Sequence, residues 1–386
     1  MPDISSRTKL FTESVIRKMT RIAIEHNAIN LSQGFPDFDP PAILLNELAR
    51  VAKSGPHQYA VTWGAANFRK ALIEKQSKLM NLDLDPDKNV VITCGSTEAM
   101  MAAMMTACNP GDKVIVFSPF YENYIADTIL TGAEPIHVTL HPPDFKFNEA
   151  ELRKAFSRKP KALILCNPSN PSGKVFTFKE LELIAALATE HDTFIITDEV
   201  YEHIVYPSNQ HRYIASLPKM FERTISCSSL SKTYSITGWR LGYVIAPEKI
   251  INGVKKVHDF LTVGAAAPLQ EAAVVGLQLP GEYYRDLLNI YSRKRELFLN
   301  FLHDSGLMYT IPEGAYYVLV DISQFNYKSD FAFCEWLIKE IGVAAVPGSS
   351  FFIEDIQNYI RFHFAKKEDT LIEAGKRLLK LKKHRN

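Results

Sequence analysis

From about residue 90 the chain alternates short apolar runs with stretches of helical periodicity. Val90-Val91-Ile92-Thr93-Cys94 is apolar at successive positions, so it reads as a strand buried on both faces. Ser96 to Cys108 then reads as a helix. Lys113 to Phe117, Pro135 to Thr139, Lys161 to Cys166, Thr193 to Thr197 and Thr224 to Cys227 are further strand candidates, and Phe178 to Glu190 is one of the helices between them. Continuous apolar strands alternating with helices predict an α/β fold: a mostly parallel sheet flanked by helices on both faces. Ligands of such sheets sit beyond the carboxyl ends of the strands.

After about residue 278 the pattern changes. Pro280-Gly281 punctuates it, a charged helix spans Tyr283 to Leu302, and Leu307 to Asp321, Asp330 to Ile341 and Tyr359 to Phe364 follow. These predict a smaller α+β domain over 278–386, a large domain over 43–277, and an N-terminal arm over 1–42 that belongs in part to the small domain. The tail from Asp369 to Lys383 places Leu371, Ala374, Leu378 and Leu381 at helical spacing, with a basic end that suits a helix C-terminus.

Composition narrows the class without adding chemistry. Over 386 residues, 46% are apolar and 23% charged, as in an ordinary globular protein. A net charge of +1 gives no bulk attraction to nucleic acid or an acidic membrane. The five cysteines, Cys94, Cys108, Cys166, Cys227 and Cys334, form no C-x-x-C pair, so neither a metal cage nor a disulfide framework is expected. Met1 to Lys18 shows no apolar core of a secretory signal, and no apolar run approaches the ~18 residues of a membrane span. A cytoplasmic protein is the expectation.

Candidate chemistry clusters at the predicted strand ends. Lys232 sits in Ser228-Ser229-Leu230-Ser231-Lys232-Thr233-Tyr234, and Arg240 follows in Gly238-Trp239-Arg240-Leu241-Gly242. A lysine among small hydroxyl residues, with an arginine just beyond, can hold a carbonyl cofactor as a Schiff base beside its phosphate. That describes the lysine of pyridoxal 5'-phosphate (PLP) enzymes. Gly95-Ser96-Thr97-Glu98-Ala99 opens a helix, where backbone N–H groups and hydroxyls can grip a phosphate or simply cap the helix. In Pro119-Phe120-Tyr121 an aromatic can stack on a planar ring or pack in the core. Asn167-Pro168-Ser169-Asn170-Pro171-Ser172-Gly173 is a turn in which Asn170 can present its amide to a phenolate oxygen. Asp198, in Asp198-Glu199-Val200-Tyr201, closes an apolar strand. A carboxylate there is costly unless paired, and a pyridinium N–H would pair it; Tyr201 could reach the neighbouring ring oxygen. Tyr359-Ile360-Arg361-Phe362-His363-Phe364 places a guanidinium inside an apolar strand, where it calls for a bidentate carboxylate.

In one order along the chain these segments supply a phosphate cup, a ring stack, a phenolate donor, a pyridinium partner, a cofactor lysine and two arginines. The pattern resembles the fold-type-I, class I/II PLP-dependent aminotransferases. The resemblance runs from Asn30-Leu31-Ser32-Gln33-Gly34-Phe35-Pro36-Asp37-Phe38 to Arg361, and this first stretch with Gln58-Tyr59 looks most like the methionine and kynurenine/glutamine aminotransferase subgroup.

The resemblance implies that the large domain binds PLP. It makes Lys232 the Schiff-base lysine and general base, and Asp198 the partner of the pyridinium nitrogen. Asn170 and Tyr201 would contact the ring oxygen O3', and Tyr121 would stack on the ring. Ser96, Thr97, Ser229 and Arg240 would bind phosphate. Arg361 would clamp the substrate α-carboxylate, with Gly34 and Asn170 nearby. Tyr59 would reach the phosphate of a neighbouring subunit, which implies a homodimer. No metal, nucleic acid or membrane partner is implied. Cys166 departs from the family's usual asparagine at a position expected near the substrate. The segments expected to line the site offer Phe35, Phe38, Trp63, Tyr124, Tyr316 and Tyr317 and no second cation, so methionine, aromatic or similar apolar donors are expected to outperform aspartate. Two alternatives remain: cysteine-conjugate β-elimination at the same site, and a PLP-sensing regulator, which would need an appended DNA-binding domain.

Overall fold

The computed structural model describes residues 2–384. Its largest sheet has eight strands: β1 Val90–Thr93, β2 Lys113–Ser118, β3 Glu134–His141, β4 Lys146–Phe147, β5 Ala162–Cys166, β6 Phe194–Asp198, β7 Thr224–Ser229 and β8 Gly242–Ile245. They lie in the order β1-β8-β7-β6-β5-β2-β3-β4. The run from β7 through β6, β5 and β2 to β3 is parallel, whereas β8 is antiparallel to both its neighbours and β4 to β3.

Strand parity explains the continuous apolar runs. Ile115, Leu163 and Ile195 pack against the helices Glu149–Ser157 and Phe178–Glu190 on one face. Val114, Ile164 and Ile196, each next in sequence to one of these, pack against Ser96–Ala107 and Glu248–Thr262 on the other. Both faces are therefore covered, and neither can be polar. The helix at Phe178–Glu190 has the predicted limits, fixed by a capping box between Thr177 and Glu180. Strand β8 was not among the sequence expectations: its four residues begin with a glycine, and period gives no signal over so short a run. Gly242 is required there, because a Cβ would collide with the backbone of Gly95 and Ser96.

A second sheet is wholly antiparallel. Its strands are β9 Met308–Tyr309, β10 Tyr317–Asp321, β11 Val346–Pro347 and β12 Tyr359–His363, in the order β9-β10-β12-β11. The charged helix before it runs Gly281–Asp304, starting two residues earlier than Tyr283 because Pro280 caps it. The segment from Asp330 to Ile341 is α-helical to Trp336 and widens into a π-turn over Leu337–Ile341 before Gly342. The tail is helical over Glu368–Leu378 and tightens into 3₁₀ turns over Leu379–His384. The arm is tied to this second unit: Ile29–Asn30 pairs in parallel with Val343–Ala344, and the Leu31 carbonyl accepts from His363 N at 3.0 Å. The next residues, Ser32 to Phe35, are thereby carried over the carboxyl ends of the large sheet.

Among the described residues no helix is long and apolar enough to cross a membrane.

Candidate active site

The carboxyl ends of β5, β6 and β7, the start of the helix Ser96–Ala107 and the arm at Gln33 to Phe35 enclose a cleft of about 850 Å³. Lys232, Asp198, Tyr201, Asn170, Tyr121, Ser96, Thr97, Arg240, Gly34 and Arg361 all border it. Ser229 lies just beneath, buried at the end of β7, its hydroxyl accepting from Ser231 N at 3.3 Å. Tyr59 is not brought to this cleft and is 85% exposed.

One end of the cleft is built for an anion. Gly95 has φ +81°, and the helix begins at Ser96 with no side-chain cap, so its first N–H groups are free. Arg240 is held in the left-handed region at φ 54°, a conformation disfavoured for a residue with a Cβ. Its Nη1 donates to the Thr237 carbonyl at 2.9 Å and its Nη2 to the Cys94 carbonyl at 3.4 Å. This lays the guanidinium against Gly95, where a Cβ would strike it. Glu98, whose part the sequence did not reveal, locks the turn by accepting from Cys94 N and from His258 Nδ1, each at 2.5 Å. Burial opposes its charge, but the His258 contact and the Cys94 N–H outweigh it and hold the Glu98 carboxyl below its ordinary range.

The floor carries the opposite charge. Asp198 ends β6, 6% exposed. It accepts from the Tyr124 hydroxyl at 2.9 Å and from Val200 N at 3.4 Å. Burial pushes its carboxyl up; Tyr124, Val200 and Lys232 pull it back. No guanidinium or ammonium bonds it among the described residues, so it suits a cationic N–H. Lys232 Nζ donates to the Gly34 carbonyl at 3.2 Å. Burial lowers the amine to about 8, against the pull of Asp198 and with help from Arg240 and Arg361.

The remaining wall combines tyrosines with a buried cation. Tyr201 and Tyr317 share a hydroxyl contact at 2.8 Å, and the Tyr316 hydroxyl donates to the Gly34 carbonyl at 2.9 Å. A Cβ on Gly34 would overlap the Tyr317 hydroxyl. Arg361, in the middle of β12, is fully buried between the rings of Tyr317 and Phe351. Its Nη1 donates to Asn170 Oδ1 and its Nη2 to the Ser32 carbonyl, both at 2.7 Å. Nε has no partner, and no carboxylate pairs with the group among the described residues. A buried guanidinium so placed is an anion receptor held in a fixed plane.

Two expectations about the lining are corrected. Trp63 lies away from the cleft, under Lys255 Nζ at 4.6 Å. Phe38 packs on Tyr291 and under Lys294. Cys166 is half-buried beside Tyr124 and Asn170, which border the cleft, its thiol donating to the Pro168 carbonyl at 3.4 Å and pushed up to about 12, by burial first and the Asp198 charge second. A cation absent from the expected segments does reach the rim: the helix Val15–Glu25 brings Ile16 and Arg17 to the cleft.

The arrangement fits PLP. An uncapped helix start and Arg240 suit its phosphate, Asp198 suits a protonated pyridine nitrogen, and Lys232 suits its carbonyl.

Comparisons with known proteins agree. The sequence profile of the family "Aminotransferase class I and II" matches residues 26–378. The methionine aminotransferase of Escherichia coli is 38% identical over 369 residues, covering 95% of this chain and 96% of its own length. A human kynurenine–oxoglutarate transaminase is 35% identical, covering 95% of each chain. The solved E. coli methionine aminotransferase superposes with a TM-score of 0.94 at 37% identity over 99% of this chain and all of its own. The Thermus thermophilus aspartate aminotransferase with maleate does so with a TM-score of 0.91 at 30% identity, over the same shares. The phosphate cup, the buried lysine and carboxylate, and the orphaned guanidinium thus stand in a chain that belongs to the class I and II aminotransferases, which are PLP-dependent enzymes of fold type I.

Proposed function

We propose that this aminotransferase moves the amino group of methionine, aromatic or similar apolar amino acids to a 2-oxo acid. The observation that carries the reading is the receptor at Arg361: one fully buried cation for the α-carboxylate, surrounded by rings and hydroxyls. Arg17 is exposed at the mouth, where water screens its pull on a distal carboxylate. Relatives named for methionine and kynurenine support the donor class.

Each residue then has a task. PLP, when bound, supplies an electron sink for charge developing at the substrate Cα. Ser96, Thr97, Ser229 and Arg240 hold its phosphate, Tyr121 covers the ring, and Asn170 and Tyr201 contact O3'. Asp198 keeps the ring nitrogen protonated. Lys232 anchors the cofactor and, once released, takes the proton from the substrate Cα. An amine near 8 leaves ~10% of the population neutral at pH 7, enough for a base that is regenerated each turnover. Gly34 and Asn170 frame the carboxylate beside Arg361.

The unit of function in this reading is a cytoplasmic homodimer, with residues 43–277 as the PLP-binding domain and 278–386, joined by part of 1–42, as the small domain. Tyr59 at 85% and Phe260 at 92% exposure form an apolar patch with Val61 and Val263, linked by the Thr62–Asp259 hydrogen bond. Such a patch suits a second copy. It adjoins Leu261 and Thr262, which border the cleft, so Tyr59 can serve the partner's phosphate.

The test is a panel of amino donors against several 2-oxo acids, scored for both transamination and ammonia release. Methionine and aromatic donors should exceed aspartate in kcat/KM; a preference for aspartate refutes the donor class, and dominant ammonia release would make the chain a lyase. Borohydride should fix the cofactor to the Lys232 peptide, and label on another lysine refutes the site.

A further inference from the structure

The cleft holds a buried acid that these roles leave unused. Asp127 lies on the helix Asn123–Leu130, one turn after Tyr124, and is 4% exposed. Its Oδ2 is buried without a hydrogen-bond partner, and the residue borders the same cleft as Asp198 and Lys232. The helix is fastened to Asp198 by the Tyr124 hydroxyl.

No cation pairs with Asp127 among the described residues: Arg7 donates instead to the Leu130 carbonyl at the end of the same helix, at 3.4 Å, and Arg17 borders the cleft exposed to water. Asp198 and Cys227 face it from the sheet and Tyr124 from its own helix. Strand β2 has one ionisable residue, Lys113, at its far end. Strand β3 contributes His137, whose ring stacks on Phe120, and the helix Ser96–Ala107 contributes Glu98, which is committed to His258. Two carboxylates confined to one buried region cannot both ionise without a large penalty. The environment is asymmetric. Asp198 has a hydroxyl, a backbone N–H and the Lys232 amine to support its charge. Asp127 has none of these; burial, and then the Asp198 charge, push it up to about 8.

We propose that Asp127 is a positioning residue for this reaction: it forms a carboxyl pair with Asp198 in which Asp127 keeps the proton and Asp198 keeps the charge that meets the pyridine nitrogen. The inference rests on Asp198 holding that nitrogen.

Infrared difference spectroscopy of the holoenzyme tests it. Near neutral pH, wild type minus Asp127→Asn should show one protonated-carboxyl C=O band; Glu199, also buried and raised, is common to both and cancels. The band should return in Asp127→Glu and vanish as the pH rises past about 8. In Asp198→Asn the neighbouring charge is gone, so the band should persist and titrate at lower pH. Absence of the band from the difference spectrum, or a titration unmoved by Asp198→Asn, overturns the pair. The Asp198 reading fails separately, by an Asp198→Asn turnover close to wild type whatever the band does.

Discussion

Arg361→Lys offers the sharpest test of how the substrate is held. In the native site two N–H groups are committed to Asn170 and Ser32, each at 2.7 Å, which fixes the plane of the guanidinium and leaves the others for a carboxylate. Lysine keeps the charge but is a point donor on a flexible stem. It cannot hold Asn170, Ser32 and both carboxylate oxygens at once. At least one charge-assisted hydrogen bond to the substrate is lost, worth ~1.5–3 kcal/mol. At ~1.4 kcal/mol per factor of ten, kcat/KM should fall ~10- to 150-fold. Every amino acid carries the α-carboxylate, so the factor should be common to all donors. The assay is the single-turnover half-reaction with methionine, phenylalanine, kynurenine and aspartate. A loss under about threefold, less than ~1 kcal/mol, would show that Arg361 does not clamp the carboxylate. A loss confined to one donor would place it at the side chain instead.

Two further outcomes follow from other parts of the site. Gly95→Ala puts a methyl against the Arg240 guanidinium at φ +81°, so PLP affinity should drop at least ~10-fold while the fold loses ~1–2 kcal/mol, measured by reconstitution of apoenzyme and by thermal unfolding; unchanged affinity would detach this turn from the phosphate. If Tyr59 serves the partner's site, mixing inactive Lys232→Ala with a crippled Tyr59→Phe chain should restore activity, because each hybrid has one site free of both lesions; no recovery despite proven subunit exchange would confine each site to one chain.

Much of the fold was legible because burial on both faces forces a simple pattern. The strands that close on Cys166 and Asp198 were readable from unbroken apolar runs, and the helix from Phe178 to Glu190 from its helical periodicity. Strand β8 was not, since its place depends on Gly242 fitting against Gly95, a contact between distant segments. The charge-bearing residues were legible for a related reason. An aspartate or an arginine set in apolar sequence is expensive, and the expense is visible without coordinates, whereas Lys232 stood out by the small hydroxyl residues around it and the arginine beyond.

Tertiary structure decided which groups meet. Nothing local says that Tyr124 donates to Asp198, that His258 braces Glu98, or that Asp127 shares their buried region, because each pairing joins segments remote in sequence or depends on which helix face turns inward. The same holds for Trp63 and Phe38, whose aromatic character suited a donor pocket but whose packing serves Lys255 and Lys294 elsewhere. By itself the sequence determined the kinds of groups present and the order in which the strands deliver them. Only the fold determined their distances, and with them which carboxyl keeps a proton, which amine gives one up, and which guanidinium is left waiting for an anion.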